Sequence, residues 1–167
     1  MIVLPLSSED QMLARLIGRR RNALKQANGI NSNKHSDAAT DLDIHILGAS
    51  AEVAVARWLG VPVNADIYLS GDGGIDLTYQ GVNIDVKMRS AWGKDLLVMP
   101  DLSDFRAEVA LLCWPGKEPD TVAVVGLVSR ERFRRKALDT VLVRPPRLVM
   151  PWQELTRIVP EALAGGR

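Results

Sequence analysis

The chain contains few of the residues that hold small disulfide-bonded or zinc-bound proteins together. Its 167 residues include one cysteine, Cys113, and two histidines, His35 and His45. A single cysteine cannot form an internal disulfide, and these three residues do not supply the four ligands of a structural zinc site. We therefore expect Cys113, which lies in an apolar run, to be a small buried residue of an intracellular chain.

Long apolar segments are also missing. No stretch approaches the roughly 18 uncharged apolar residues of a membrane span. The apolar start, residues 1–6, is shorter than the core of a signal peptide and follows no basic residue. We expect no membrane contact and a cytoplasmic location. With 47% hydrophobic and 25% charged residues, the composition is that of an ordinary globular protein, and the length fits one domain.

The net charge of +1 hides an uneven distribution of charge. Basic residues gather at 15–25 and 130–136, whereas acids gather between residues 66 and 85. Basic flanks around an acidic centre are typical of a protein that binds a polyanion and holds a cation in its site. The alternative is two solvated helix faces and a set of acidic turns.

The pattern of apolar residues predicts a mixed α/β fold with a central sheet. A basic helix from Ser7 or Ser8 to about Asn28 and a polar loop form an arm, residues 1–41, of the same domain as residues 42–167. A second helix spans 42–59 and ends at Gly60. Further strands are predicted within 61–69 and at 75–79, 82–88, 96–99, 109–114, 121–128 and 141–143, and helices at 129–138 and 152–157.

The strongest functional signal lies on the cleanest strand, residues 82–88. Alternation places Asp85 and Lys87 on one face, and a tight turn at Gln80 and Gly81 brings Asp76 alongside. Two carboxylates about 4–6 Å apart repel each other unless a cation or a proton lies between them. Their hard oxygens favour Mg²⁺ or Mn²⁺, and an ammonium beside them can hold a water or neutralise charge growing on a phosphate.

Glu52 on the second helix is a third candidate carboxylate. No basic residue lies at helical spacing from it, and its neighbours on the adjacent turns are small or apolar. Such an acid either points into solvent or faces a positive group inside the protein. Because Glu52 borders the core stripe of Leu47, Ala51, Ala54 and Trp58, we expect it to reach the sheet edge where Asp76 and Asp85 meet.

This arrangement resembles the PD-(D/E)XK nuclease superfamily. Its members share a helix with a Glu, a hairpin with an Asp and a strand with (Asp/Glu)-x-Lys, matched here by Glu52, by Asp76 in Gly73-Gly74-Ile75-Asp76, and by Asp85-Val86-Lys87. Ile75 replaces the proline that names the motif. The resemblance covers roughly residues 42–138 and implies a restriction-endonuclease-like αβββαβ core, a central mixed sheet flanked by helices, here with an extra N-terminal helix.

The resemblance also implies a function and a set of roles. Asp76, Asp85 and the Val86 carbonyl would ligate Mg²⁺, for which Mn²⁺ would substitute, Glu52 would ligate or support the metal, and Lys87 would assist the attacking water. The expected activity is hydrolysis of DNA phosphodiester bonds, structure-selective or weakly sequence-specific, as in phage or mobile-element DNA processing or repair.

Residues outside the motif extend the prediction to DNA contacts. Arg19, Arg20, Arg21 and Arg89 are candidates for phosphate contacts, and Trp92, just past the catalytic strand, is a candidate for stacking on a base or sugar. The other tryptophans are expected in the core. Two further interpretations stay open, a nucleic-acid-binding module of the same fold without turnover and a structural or interaction protein, and a homodimer is also left open.

Overall fold

The computed structural model describes residues 1–29, 40–65, 74–98, 105–140 and 147–158. Within them the chain forms three α-helices, eight strands and a short 3₁₀ turn. In chain order these are β1 (Ile2–Pro5), α1 (Ser8–Ala27), α2 (Asp41–Leu59), β2 (Leu77–Tyr79), β3 (Val82–Met88), β4 (Leu96–Val98), β5 (Val109–Pro115), β6 (Thr121–Ser129), α3 (Arg130–Lys136), β7 (Leu138–Thr140), β8 (Arg147–Met150) and the turn Trp152–Glu154.

The two long helices begin and end at residues suited to these positions. Ser7 and Thr40 are the N-caps of α1 and α2, and each forms a capping box with an aspartate three residues later. Gly60 ends α2 in the left-handed conformation, with φ of 67°. The helices approach so closely at Gly18 of α1 that a Cβ on this residue would lie 2.7 Å from backbone atoms of Ile46.

The strands form two sheets, and the larger one carries the candidate residues. Its order is β1-β6-β5-β3-β2, with β3 and β5 parallel and the other pairs antiparallel. The smaller sheet has the order β4-β8-β7. The mixed α/β class with a mixed central sheet is therefore confirmed.

Each face of the large sheet packs against a different layer. On one face, Ile84 and Val86 of β3 pack against α2 through Ala51, Ala54 and Val55. The opposite face carries alternate residues of β5 and β6 and packs against β4, β8 and α3 through a second group of buried side chains, among them Leu96, Leu112, Phe133 and Met150. Cys113 is fully buried as predicted, and burial raises the pKa of its thiol.

Most predicted elements are present, with a few differences in type and bounds. The start of the chain, expected to be part of an arm, is an edge strand paired with β6, and α1 packs on α2. The strand predicted from Ile75 starts at Leu77, and the last predicted helix is a 3₁₀ turn. No strand occurs at 61–65, whereas residues 66–69 of that predicted strand and the predicted strand at 141–143 lie outside the described residues.

No described helix combines the length and the apolarity that crossing a bilayer requires.

Candidate active site

A tight hairpin brings Asp76 beside β3, the strand that carries Asp85. Gln80 and Gly81 connect β2 and β3 with φ of 49° and 81°, the paired positive values of a type I′ turn. The register pairs Leu77 with Ile84. The register ends at this pair, because the Asp76 N–H is bonded to Ile84, the partner of Leu77, so that Asp76 lies beside β3 just past the end of the ladder.

Asp76 is held against the edge of β3 where β2 has ended. Its backbone N–H donates to the Ile84 carbonyl at 2.9 Å, and its Oδ2 accepts from the Val86 N–H at 2.6 Å. The residue is 7% exposed. In an extended strand the N–H and C=O of one residue project from the same edge, so the Val86 carbonyl lies on the side where Asp76 is bound.

Asp85 and Lys87 form an ion pair along β3. Lys87 Nζ lies 2.8 Å from Asp85 Oδ1. The two residues are on the same face because they are two positions apart, and the register with β5 places Ala110 and Leu112 beside them. The Asp85 side chain is 2% exposed and that of Lys87 29%, so the carboxylate is buried while the lysine still reaches solvent.

An open cavity of about 280 Å³ lies next to Asp76. Its lining includes Asn64, Ile75, Asp76 and Thr78. The cavity gives small molecules and ions an approach to the hairpin from the side of Asp76.

Glu52 is buried and binds an arginine of the neighbouring helix. Both oxygens of its carboxylate accept from the guanidinium of Arg21, Oε1 at 2.6 Å and Oε2 at 2.7 Å. The positive group anticipated for Glu52 is thus Arg21, from the helix that was expected to contact DNA. Sequence spacing gave no indication of this pair, since 31 positions separate the two residues.

His45 lies on α2 near the same basic residues of α1. Burial lowers the pKa of its imidazole, and the charges of Lys25 and Arg21 lower it further. Among the described residues, its buried Nε2 has no hydrogen-bond partner. The imidazole is thus partly buried.

The predicted DNA-contacting residues differ in exposure. Arg19 and Arg20 are exposed, whereas Arg21 and Arg89 are partly buried. In the second basic segment, 130–136, Arg132 and Lys136 bind Glu154, and the Lys136 ammonium lowers the pKa of that carboxyl.

Trp92, Trp114 and Trp152 form one cluster, although Trp152 is far from the other two in the sequence. Trp92 and Trp152 each lie against Trp114, with ring centroids 5.1 and 5.5 Å apart. Trp114 is 3% exposed and lies in the core, as expected. Trp152 is 37% exposed, so its expected core position is wrong: the short turn that carries it runs over the surface. Trp92 is also 37% exposed.

The donor chemistry of the hairpin suits a hard divalent cation, but its ligand number is small. Asp76, Asp85 and the Val86 carbonyl supply oxygen, which Mg²⁺ and Mn²⁺ prefer. In the described part of the chain, no three carboxylate, histidine or cysteine side chains are grouped so that they could hold a metal ion. Ligation by Glu52 stays a prediction.

Comparison with protein-family models, curated proteins and solved structures finds no match to this chain.

Proposed function

We propose that the protein is a metal-dependent nuclease that hydrolyses DNA phosphodiester bonds. We also propose that its core has the restriction-endonuclease-like αβββαβ topology. The observation that carries the proposal is the hairpin itself. One buried carboxylate, Asp76, binds the edge of β3 at Val86, and a second, Asp85, lies beside an ammonium two residues along the same strand. Carboxylates that can hold a divalent cation, with an ammonium beside them, can neutralise the charge that develops in phosphodiester hydrolysis.

The chain's own groups have distinct roles in this proposal. Asp76, Asp85 and the Val86 carbonyl would hold Mg²⁺, with Glu52 as a ligand or support. The bound ion would supply charge neutralisation at the phosphate and acidify a water. Lys87 is 29% exposed, so its ammonium can contact both Asp85 and an approaching phosphate. It would orient the attacking water and neutralise charge that grows on the phosphoryl oxygens.

Exposed cations on α1 would bind the DNA backbone. Arg19 and Arg20 are adjacent and exposed, which suits contacts with phosphates rather than with base edges. Binding of this kind carries little sequence information. The proposed enzyme is therefore structure-selective or weakly specific, in keeping with DNA processing or repair.

A second candidate is a nucleic-acid-binding module of the same fold without turnover. The observation that favours it is that cations of the chain already accompany two of the acids, Lys87 beside Asp85 and Arg21 on Glu52. Such a protein would bind DNA through its basic surfaces without needing a metal ion.

The deciding experiment is incubation with linear, circular and branched DNA in Mg²⁺, in Mn²⁺ and in chelator. We expect cleavage with either metal, none with chelator, and none by Asp85→Asn. DNA binding without cleavage under every condition would support the binding module. Neither binding nor cleavage would leave a structural or interaction protein.

A further inference from the structure

The tryptophan cluster, defined as Trp92, Trp114 and Trp152, presents two exposed indoles on a fixed base. Trp92 and Trp152 are each 37% exposed and both lie against the buried Trp114. Two large aromatic rings exposed side by side form an apolar patch of the kind that can bind a ligand, because covering it removes apolar surface from water.

Hydrogen bonds anchor the cluster to the loop that follows β3. The indole Nε1 of Trp114 donates to the Lys94 carbonyl at 2.9 Å. The backbone N–H of Trp152 donates to Asp95 Oδ1 at 3.0 Å. The loop that carries Trp92 is therefore bound at adjacent residues to both other tryptophans. Rings held in this way lose little conformational entropy when a ligand stacks on them.

A lysine ammonium lies beside the exposed ring of Trp92. Lys117 Nζ lies 5.2 Å from the ring centroid of Trp92, within the range of a cation–π contact. Lys117 and Lys94 are both exposed. Aromatic rings beside ammonium groups suit a ligand that has flat apolar rings and an anionic backbone.

The cluster lies on the same face of the sheet as the candidate catalytic lysine. In the parallel pair of β3 and β5, Lys87 is in register with Leu112, and Trp114 follows on the same face of β5 as Leu112. Trp114 is two residues beyond Leu112, and two residues of a strand span roughly 6.6 Å. The backbone of Trp114 therefore lies about that distance further along the strand direction than that of Lys87.

We propose that the tryptophan cluster is a stacking platform for unpaired bases, and that single-stranded DNA or a frayed DNA end is the substrate that it selects. This inference rests on the proposed nuclease function, because the platform would hold bases next to the phosphate that reaches Lys87. Bases in an intact duplex are already stacked on one another and are not free to stack on Trp92 or Trp152.

The test measures binding in chelator, where no cleavage occurs. The probes are an oligothymidine of about 12 nucleotides, a length within the range of single-strand sites, and a duplex of equal length. We expect the oligothymidine to quench tryptophan fluorescence. Replacing Trp92 with Leu should weaken its binding about tenfold, the loss of roughly one stacked base, and leave duplex affinity nearly unchanged.

Matched variants separate stacking from other roles. Trp92→Phe keeps an aromatic face and should retain most of the affinity, and Trp152→Leu should repeat the selective loss without touching the loop of Trp92. An equal loss for single strand and duplex, or no loss in either Leu variant, would overturn the platform. Binding of neither DNA form would overturn it as well and point to a protein or carbohydrate partner.

The outcomes also distinguish this inference from the proposed function. Selective loss of single-strand binding in a protein that never cleaves DNA would retain the platform and reject the nuclease. Metal-dependent cleavage combined with unchanged single-strand affinity in Trp92→Leu and Trp152→Leu would retain the nuclease and reject the platform.

Discussion

Two ion pairs, each of one cation and one buried carboxylate, have different surroundings. Arg21 and Glu52 join α1 to α2 through two contacts of 2.6 and 2.7 Å, with side chains 20% and 7% exposed. Lys87 and Asp85 lie on a single strand at 2.8 Å, with side chains 29% and 2% exposed. The first pair links elements that are distant in sequence, whereas the second links residues that the strand already holds together.

The difference separates a pair in which the carboxylate is held rigidly from one in which the cation can still reach a ligand. The planar fork of Arg21 matches both oxygens of one carboxylate and fixes their geometry. Lysine is a point charge on a flexible stem, and Lys87 can turn towards a ligand while it remains near Asp85. Loss of the first pair should therefore affect folding most, and loss of the second should affect chemistry.

The largest effect on stability is expected for Arg21→Ala. Removing the guanidinium leaves the Glu52 carboxylate buried without its bidentate partner, which should lower the free energy of unfolding by about 3 kcal/mol. Arg20→Ala is the matched control on the same helix, because Arg20 is exposed. It should change stability by less than about 0.5 kcal/mol. Urea unfolding measures both, and equal values would contradict a structural role for Arg21.

The second effect concerns metal affinity. Asp85→Ala should weaken Mn²⁺ binding by more than about tenfold, because it removes a carboxylate ligand. Asp120→Asn is a suitable control, since Asp120 is exposed and asparagine tolerates its φ of 55°. Isothermal calorimetry on the parent and both variants gives the affinities. Equal binding by the parent and Asp85→Ala would remove Asp85 from the proposed metal site.

A smaller effect is expected from the exposed cations of α1. Replacing Arg19 and Arg20 together with alanine, while Arg21 is kept, should weaken DNA binding across sequences. The slope of log affinity against log salt should decrease by up to about two units, since each phosphate contact contributes about 0.9. Binding measured at several salt concentrations gives this slope. An unchanged slope would identify these arginines as a solvated helix face.

The smallest effect should be a dependence of stability on pH from His45. Burial, Lys25 and Arg21 lower the pKa of its imidazole below the ordinary value of 6.5. The unfolded chain therefore binds a proton more readily, and the contribution to stability is complete above about pH 6.5 and is lost as the pH falls through the folded-state pKa. His45→Gln should flatten this acidic slope in urea unfolding. A slope identical to that of the parent would assign it to other groups.

Local features of the fold could be predicted from the sequence. The capping signals at Ser7 and Gly60 and the alternation along residues 82–88 act over a few residues, so the bounds of α1, α2 and β3 follow from them nearly to the residue. The Gln80-Gly81 turn likewise sets the pairing of β2 with β3.

Features that depend on distant contacts could not be predicted in this way. The strand Ile2–Pro5 is short and contains a proline, and it is a strand because β6 pairs with it. The Arg21–Glu52 pair and the tryptophan cluster bring together residues far apart in the chain. Their sequence spacing carries no signal of these contacts.

Single-turnover cleavage of labelled DNA by the parent and Lys87→Gln tests the central claim most directly. Glutamine keeps much of the side-chain length but removes the charge, and melting temperatures with Mn²⁺ check that the fold survives the change beside buried Asp85. We expect the rate of the variant to fall by roughly 10²-fold or more, as when one partner of the transition-state charge is lost. Cleavage by the variant at the parental rate would contradict the assignment of the Asp76, Asp85 and Lys87 hairpin as the active site.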